Sequence, residues 1–211
     1  MKMLFLSSFF SGVAPLFADF AKEDLNGKTV TFIPTASLPE KVTFYVGSDK
    51  KALQKIGLTV DELEITKATK KEIVKKLETN DYIFISGGNT FFLLQELKRT
   101  GTDEIIIEQI KAGKIFIGAS AGSMILSPNI EYVKDYDDFT KAPDLKDNFK
   151  ALSVIDFYPC PHHTNAPFKK AVEKVISKYE TELKLIPISN SQAITVKGNK
   201  INVETFEKKK K

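Results

Sequence analysis

The chain contains one cysteine, Cys160, no tryptophan, two histidines and a single arginine, Arg99, among 211 residues. One cysteine cannot form an intrachain disulfide, so a secreted disulfide scaffold is excluded and a reducing, cytoplasmic setting is the expectation. Cys160 stands between two prolines, with no helix start to activate its thiol, and reads as a buried structural residue. No apolar run approaches the roughly 20 residues that cross a bilayer, so no membrane partner is expected. The apolar amino terminus carries one lysine before its apolar stretch and is broken by Pro15, a poor match to a signal peptide. The net charge of +4 owes much to Lys208 to Lys211, read as a solvated tail. The other charges alternate along helical segments and leave no nucleic-acid footprint. The histidines are adjacent rather than spaced by three or four residues, so neither a metal site nor a cofactor is expected.

What is present is enough to build a core. At 42% hydrophobic residues the chain reads as a single α/β domain over residues 1–211, without repeats or a dividing polar linker. Residues 3–7, 29–33, 58–65, 82–85 and 114–117 read as strands, and residues 11–20, 42–56, 69–77, 91–99 and 103–112 as helices between them. Residues 152–158 read as a further strand and 168–179 as an amphipathic helix. The chain ends in short strands at 184–188, 193–196 and 201–205, the last two joined at Gly198-Asn199 as a small C-terminal hairpin. This alternation predicts a doubly wound, mostly parallel sheet flanked by helices, with functional groups at the carboxyl ends of the strands.

The chemistry centres on Gly118-Ala119-Ser120-Ala121-Gly122, an apolar strand running into Gly-x-Ser-x-Gly and then into a helix start. A serine hydroxyl is a weak nucleophile, and a sharp strand-to-helix turn lifts it clear of the sheet beside backbone N–H groups. The base comes from His162 or His163, of which only one can face Ser120 from a strand end. The acidic segment between them, with Asp135, Asp137 and Asp138, supplies a carboxylate to orient the base. At Ser86-Gly87-Gly88-Asn89 the phosphate-loop lysine is missing. The turn can instead present the Gly88 N–H, with that of Ala121, to an oxyanion, or be a plain turn capped by Asn89.

Together, Gly87-Gly88-Asn89-Thr90, Gly118-Ala119-Ser120-Ala121-Gly122-Ser123 and Pro161-His162-x-Thr164-Asn165 resemble the peptidase E family of serine peptidases, relatives of cyanophycinase. The sheet resembles that of class I glutamine amidotransferases, which place a cysteine where Ser120 stands. The resemblance implies a Ser-His-acid peptidase acting on small peptides, with Ser120 as nucleophile, His162 as base and Gly88 and Ala121 as oxyanion donors. Counting forward from Ser120 puts the family's acid at Asp135, and counting back from His162 puts it at Asp137 or Asp138. Asp138 is the preferred reading, with Glu131 a further candidate. Asn89 and Lys169 are the substrate-binding candidates. The family's aspartyl dipeptidase branch has an arginine soon after the histidine, where this chain has Lys169 and Lys170. Lysine lacks the bidentate fork, which puts strict aspartyl selectivity in question. A homodimer is compatible with this reading. Another acyl hydrolase, cyanophycinase-like or an esterase, and a non-catalytic ligand-binding module are the alternatives.

Overall fold

Runs of aliphatic, aromatic and β-branched residues form the central strands, and Gly101 and Gly113 stop the two helices that precede them. The computed structural model describes residues 1–207, so the expected lysine tail at 208–211 lies outside the described residues. Strands β1 (Met3–Ser7), β2 (Thr29–Ile33), β3 (Thr59–Glu62), β4 (Tyr82–Ile85) and β5 (Ile115–Ala119) are parallel. Between them lie helices α1 (Ala14–Ala21), α2 (Phe44–Lys55), α3 (Lys70–Thr79), α4 (Thr90–Thr100) and α5 (Thr102–Ala112). Gly101 and Gly113 end α4 and α5 in the left-handed conformation, at φ 64° and 104°. A four-residue helix, α6 (Ala121–Met124), follows β5 directly.

Beyond α6 the chain departs from the expected pattern. The strand foreseen at 152–158 is confined to β6 (Tyr158–Cys160), because the backbone of residues 152–155 bonds instead to the segment leaving α6. Strand β6 pairs with β7 (Leu185–Pro187) in a separate two-stranded parallel sheet. The histidines therefore do not leave the main sheet at all. Between β6 and β7 runs α7 (Lys169–Tyr179), and β8 (Gln192–Lys197) and β9 (Lys200–Thr205) form the expected hairpin. The main sheet has the order β3-β2-β4-β5-β1-β8-β9, with β8 antiparallel to β1.

Alternation along the central strands sends side chains to two different cores. Leu4, Leu6, Ile83, Ile85 and Phe116 face a mainly aliphatic layer under α4, α5 and α7. Phe5, Tyr82, Phe84 and Ile117 face the other side, where Phe10, Phe17 and Phe20 join them. In that second layer Phe32 stacks on Phe84 at 5.0 Å and Phe10 meets Phe84 edge-on at 5.1 Å. With both faces covered, β4 and β5 are buried along their whole length, as parallel strands require.

Candidate active site

Ser120, between β5 and α6, has φ 49° and ψ −108°, a backbone conformation that L side chains rarely adopt. Its neighbours make the turn possible. A Cβ on Gly118 would lie 2.5 Å from the Gly122 carbonyl oxygen, and one on Gly122 would lie 2.1 Å from that of Ile85, so both positions exclude a side chain. The turn is tied to β1: the Ser120 N–H donates to the Ser7 carbonyl at 2.9 Å, and the Ser123 hydroxyl bonds to the carbonyls of Ser7 and Gly118. The strained turn is thus held by an over-determined set of contacts.

The glycine loop after β4 lies against this turn. A Cβ on Gly87 would sit 3.3 Å from Ser120 Cβ and 3.7 Å from the Tyr45 ring. Gly88, at φ 136°, passes so close to Ala36 that a Cβ would meet the Ala36 carbonyl at 2.1 Å. Among the described residues, the backbone N–H groups of Gly88 and Ala121 donate to no protein acceptor. Asn89 is buried, and its side chain is committed elsewhere. Its Oδ1 accepts from the Phe92 N–H to cap α4, and its Nδ2 donates to the Asp138 carbonyl at 3.0 Å. Both polar ends of the side chain of Asn89, a substrate-binding candidate in the sequence, are thus engaged within the protein, one of them as the cap of α4. Lys169 opens α7 on the surface, with Glu173 3.8 Å from its ammonium.

Of the two histidines, His162 faces the serine, its Nε2 3.0 Å from Ser120 Oγ. His162 has φ 65° and Thr164 φ 68°, so the loop after β6 is itself a contorted turn. The Ser8 hydroxyl accepts from the His162 N–H at 2.9 Å and donates to the Ile188 carbonyl at 3.0 Å. The imidazole stacks on Phe168 at 4.7 Å. Burial pulls its pKa below the ordinary histidine value, opposed by the hydrogen bond with Asn190.

The group at the other ring nitrogen is Asn190, whose Oδ1 lies 2.8 Å from His162 Nδ1. None of the expected carboxylates takes this place. Asp138 is exposed and accepts from the N–H and hydroxyl of Thr140, which hold its carboxyl below the usual range. Asp135 pairs with Lys174 at 2.6 Å, on α7. Asp137 accepts the Thr90 N–H at 2.7 Å, and burial pushes its pKa up to about 6. Glu131 pairs with Lys134. The assignment of Asp138, or Asp135, as the group that orients His162 is corrected accordingly: both are engaged elsewhere. The acidic segment serves the site through its tyrosines. Tyr132 donates to the Pro159 carbonyl at 2.8 Å and Tyr136 to that of Pro161 at 3.5 Å, holding the chain that leads to His162.

Asn190 was not legible because it lies 28 residues past His162 in a loop between short strands. Its signal, a lone Ser-Asn-Ser between apolar runs, is that of an ordinary turn. Cys160 is fully buried, as expected, and burial pushes its thiol up to about 12. Among the described residues no group of three or more histidine, cysteine, aspartate or glutamate side chains is arranged to hold a metal ion. None of the described helices is long and apolar enough to cross a membrane.

The sheet and the serine-bearing turn between β5 and α6 define an α/β protein of the nucleophile-elbow type. Residues 4–204 match peptidase family S51, and the chain belongs to that family. It is 52% identical over 201 residues to an uncharacterized peptidase of Listeria monocytogenes, covering 95% of this chain and 97% of that one. It is 31% identical over 144 residues to peptidase E of Salmonella arizonae, covering 67% of this chain and 58% of the relative. A crystal structure of a peptidase E protein from Listeria monocytogenes superposes with a TM-score of 0.94 at 50% identity, covering 98% of this chain and 100% of that one. A peptidase from an acI-B1 actinobacterium, at 19% identity and TM-score 0.73, shares the fold. The chain is a peptidase E-like peptidase.

Proposed function

We propose that this peptidase is of the serine type and hydrolyses short peptides, with Ser120 as nucleophile and His162 as general base. The observation that carries the reading is the 3.0 Å approach of His162 Nε2 to the hydroxyl of a serine on a strained strand-to-helix turn. In the first step Ser120 Oγ attacks the peptide carbonyl as its proton passes to Nε2, and the imidazolium then protonates the leaving amine. Water, activated by the same imidazole, cleaves the acyl-enzyme. The N–H groups of Gly88 and Ala121, unengaged among the described residues, are the oxyanion donors in this reading. Selectivity for an aspartyl residue is not part of it. The one guanidinium, Arg99, forks onto Glu96 on α4, and Lys169 offers a single ammonium at the surface. A fluorophosphonate probe is expected to label Ser120 in the intact chain. Ser120→Ala is expected to lose at least about a thousandfold in hydrolysis of a dipeptide panel. Full hydrolysis by that variant would sink the reading.

A further inference from the structure

We infer that Asn190 is the positioning residue for His162, so that this centre works with a neutral amide where triads of this type carry a carboxylate. The inference rests on the assignment of Ser120 and His162 above and concerns how the base is armed. A neutral imidazole carries its proton on one nitrogen only. With Asn190 Oδ1 2.8 Å from Nδ1, that oxygen can only accept, so the proton belongs on Nδ1 and the Nε2 lone pair faces Ser120 Oγ. The opposite amide orientation would put an NH₂ against Nδ1, move the proton to Nε2 and leave the serine without a base.

The two loops that bring these groups together are tied to each other. The Asn190 N–H donates to Asn165 Oδ1 at 2.8 Å, and the Asn165 N–H donates to the His162 carbonyl at 2.9 Å. Ile188, two residues before Asn190, accepts from the His163 N–H and donates to the Cys160 carbonyl. On its other side the Asn190 carbonyl packs where any side chain on Gly12 would stand, 2.7 Å from a Cβ there. Asn190 is thus clamped by the chain that carries His162 and by the turn before α1.

Among the described residues no charged side chain pairs with the ring. The end of β1 offers Ser8, the turn after β5 offers Ser120, the loop before α7 offers Phe168, and the loop before β8 offers Asn190. Asp135, Asp137 and Asp138 are spent on Lys174, Thr90 and Thr140, and the Lys169 ammonium lies beside Glu173. Without an anion the imidazolium gains only the dipole of the amide, so the base stays neutral further into acid, in line with the lowered pKa of His162. The corresponding cost is weaker stabilisation of the imidazolium formed as Ser120 attacks.

With only two histidines in the chain, His163→Gln leaves one imidazole to follow by ¹⁵N NMR. The resting ring is expected in the Nδ1–H tautomer. Asn190→Asp is expected to raise the His162 midpoint by about one pH unit or more. The acid limb of the rate of Ser120 labelling by a fluorophosphonate is expected to move with it. Asn190→Ala is expected to slow that labelling roughly a hundredfold, with Asn190→Asp restoring it at pH 8. A resting Nε2–H tautomer, an unmoved midpoint in Asn190→Asp, or an undiminished labelling rate in Asn190→Ala would each overturn the inference. Failure of Ser120 to label in any variant overturns the serine-peptidase reading instead, while tautomer and midpoint still decide the role of Asn190.

Discussion

The two ends of the parallel strands are built from opposite chemistry. At the amino ends, polar groups meet matched partners. Asp81 accepts from the Thr29 N–H and hydroxyl and pairs with Lys28 at 3.2 Å, and Tyr82 donates to Glu23 at 2.6 Å. The Lys114 ammonium donates to the carbonyls of Leu77, Glu78 and Asn80, where the dipole of α3 ends. At the carboxyl ends the matching breaks down. Ser120 holds a strained backbone, and the buried hydroxyls of Tyr45 and Ser86 have no protein partner among the described residues. Asp49 is buried with one N–H, from Ser11, at 3.2 Å, and burial pushes its pKa up to about 7. Mismatch of this kind costs stability, and it collects where the proposed nucleophile and base stand. The contrast locates the working face without reference to any motif.

The contrast can be broken by design. The largest effect is expected for Gly122→Ala. Its Cβ would meet the Ile85 carbonyl at 2.1 Å, with no flexible side chain to yield. A loss of about 3 kcal/mol or more in denaturant unfolding is expected, with the activity assigned to Ser120 falling in parallel. An unchanged midpoint and activity in Gly122→Ala would show that the elbow tolerates what the geometry forbids.

Asp49→Asn tests the mismatch itself. The folded carboxyl holds its proton up to about pH 7, whereas the unfolded one releases it near its ordinary value of 3.8. Between those values the unfolded chain binds fewer protons, so stability is fully present below about pH 4 and falls as the pH rises to 7. The asparagine variant, still able to accept the Ser11 N–H, is expected to match the parent at pH 4 and to exceed it at pH 8. The distance between those two values sets the gain at a few kcal/mol, as an order of magnitude. Equal unfolding midpoints at both pH values would refute the destabilising role of Asp49.

The smallest effect belongs to the matched end. Lys114→Met keeps the apolar stem but removes the ammonium from the α3 carbonyls. A loss of about 1–2 kcal/mol is expected, with labelling of Ser120 unchanged. A change in labelling rate at equal folded fraction would mean that the two ends are coupled rather than independent.

How much of this was legible differs sharply from residue to residue. Ser120 and the glycines beside it announce their turn locally, since Gly118 and Gly122 are close in sequence and meet in space. His162 was legible through its neighbours Pro161, Thr164 and Asn165, although the strand it leaves belongs to a second sheet rather than to the main one. The carboxylates of the acidic segment misled because residue type and order suit a triad, while neither reports which way a 3₁₀-rich excursion folds. There the tyrosines bond to the histidine chain and the aspartates bond elsewhere.

From sequence alone follow the alternation of strands and helices, the fully buried β4 and β5, the glycine stops of α4 and α5, and the serine turn. All are set by contacts within a few residues or by the period of the apolar pattern. Only the tertiary structure decided what stands at His162 Nδ1. Asn190 reaches it because Ile188 bonds across to Cys160 and His163, and Asn165 bonds to both loops. The Ile188 pairing joins distant segments through backbone bonds that any residue can make, so it leaves no mark on the identity of the residues that make it, and the Asn165 side chain adds a bond to a loop 25 residues away.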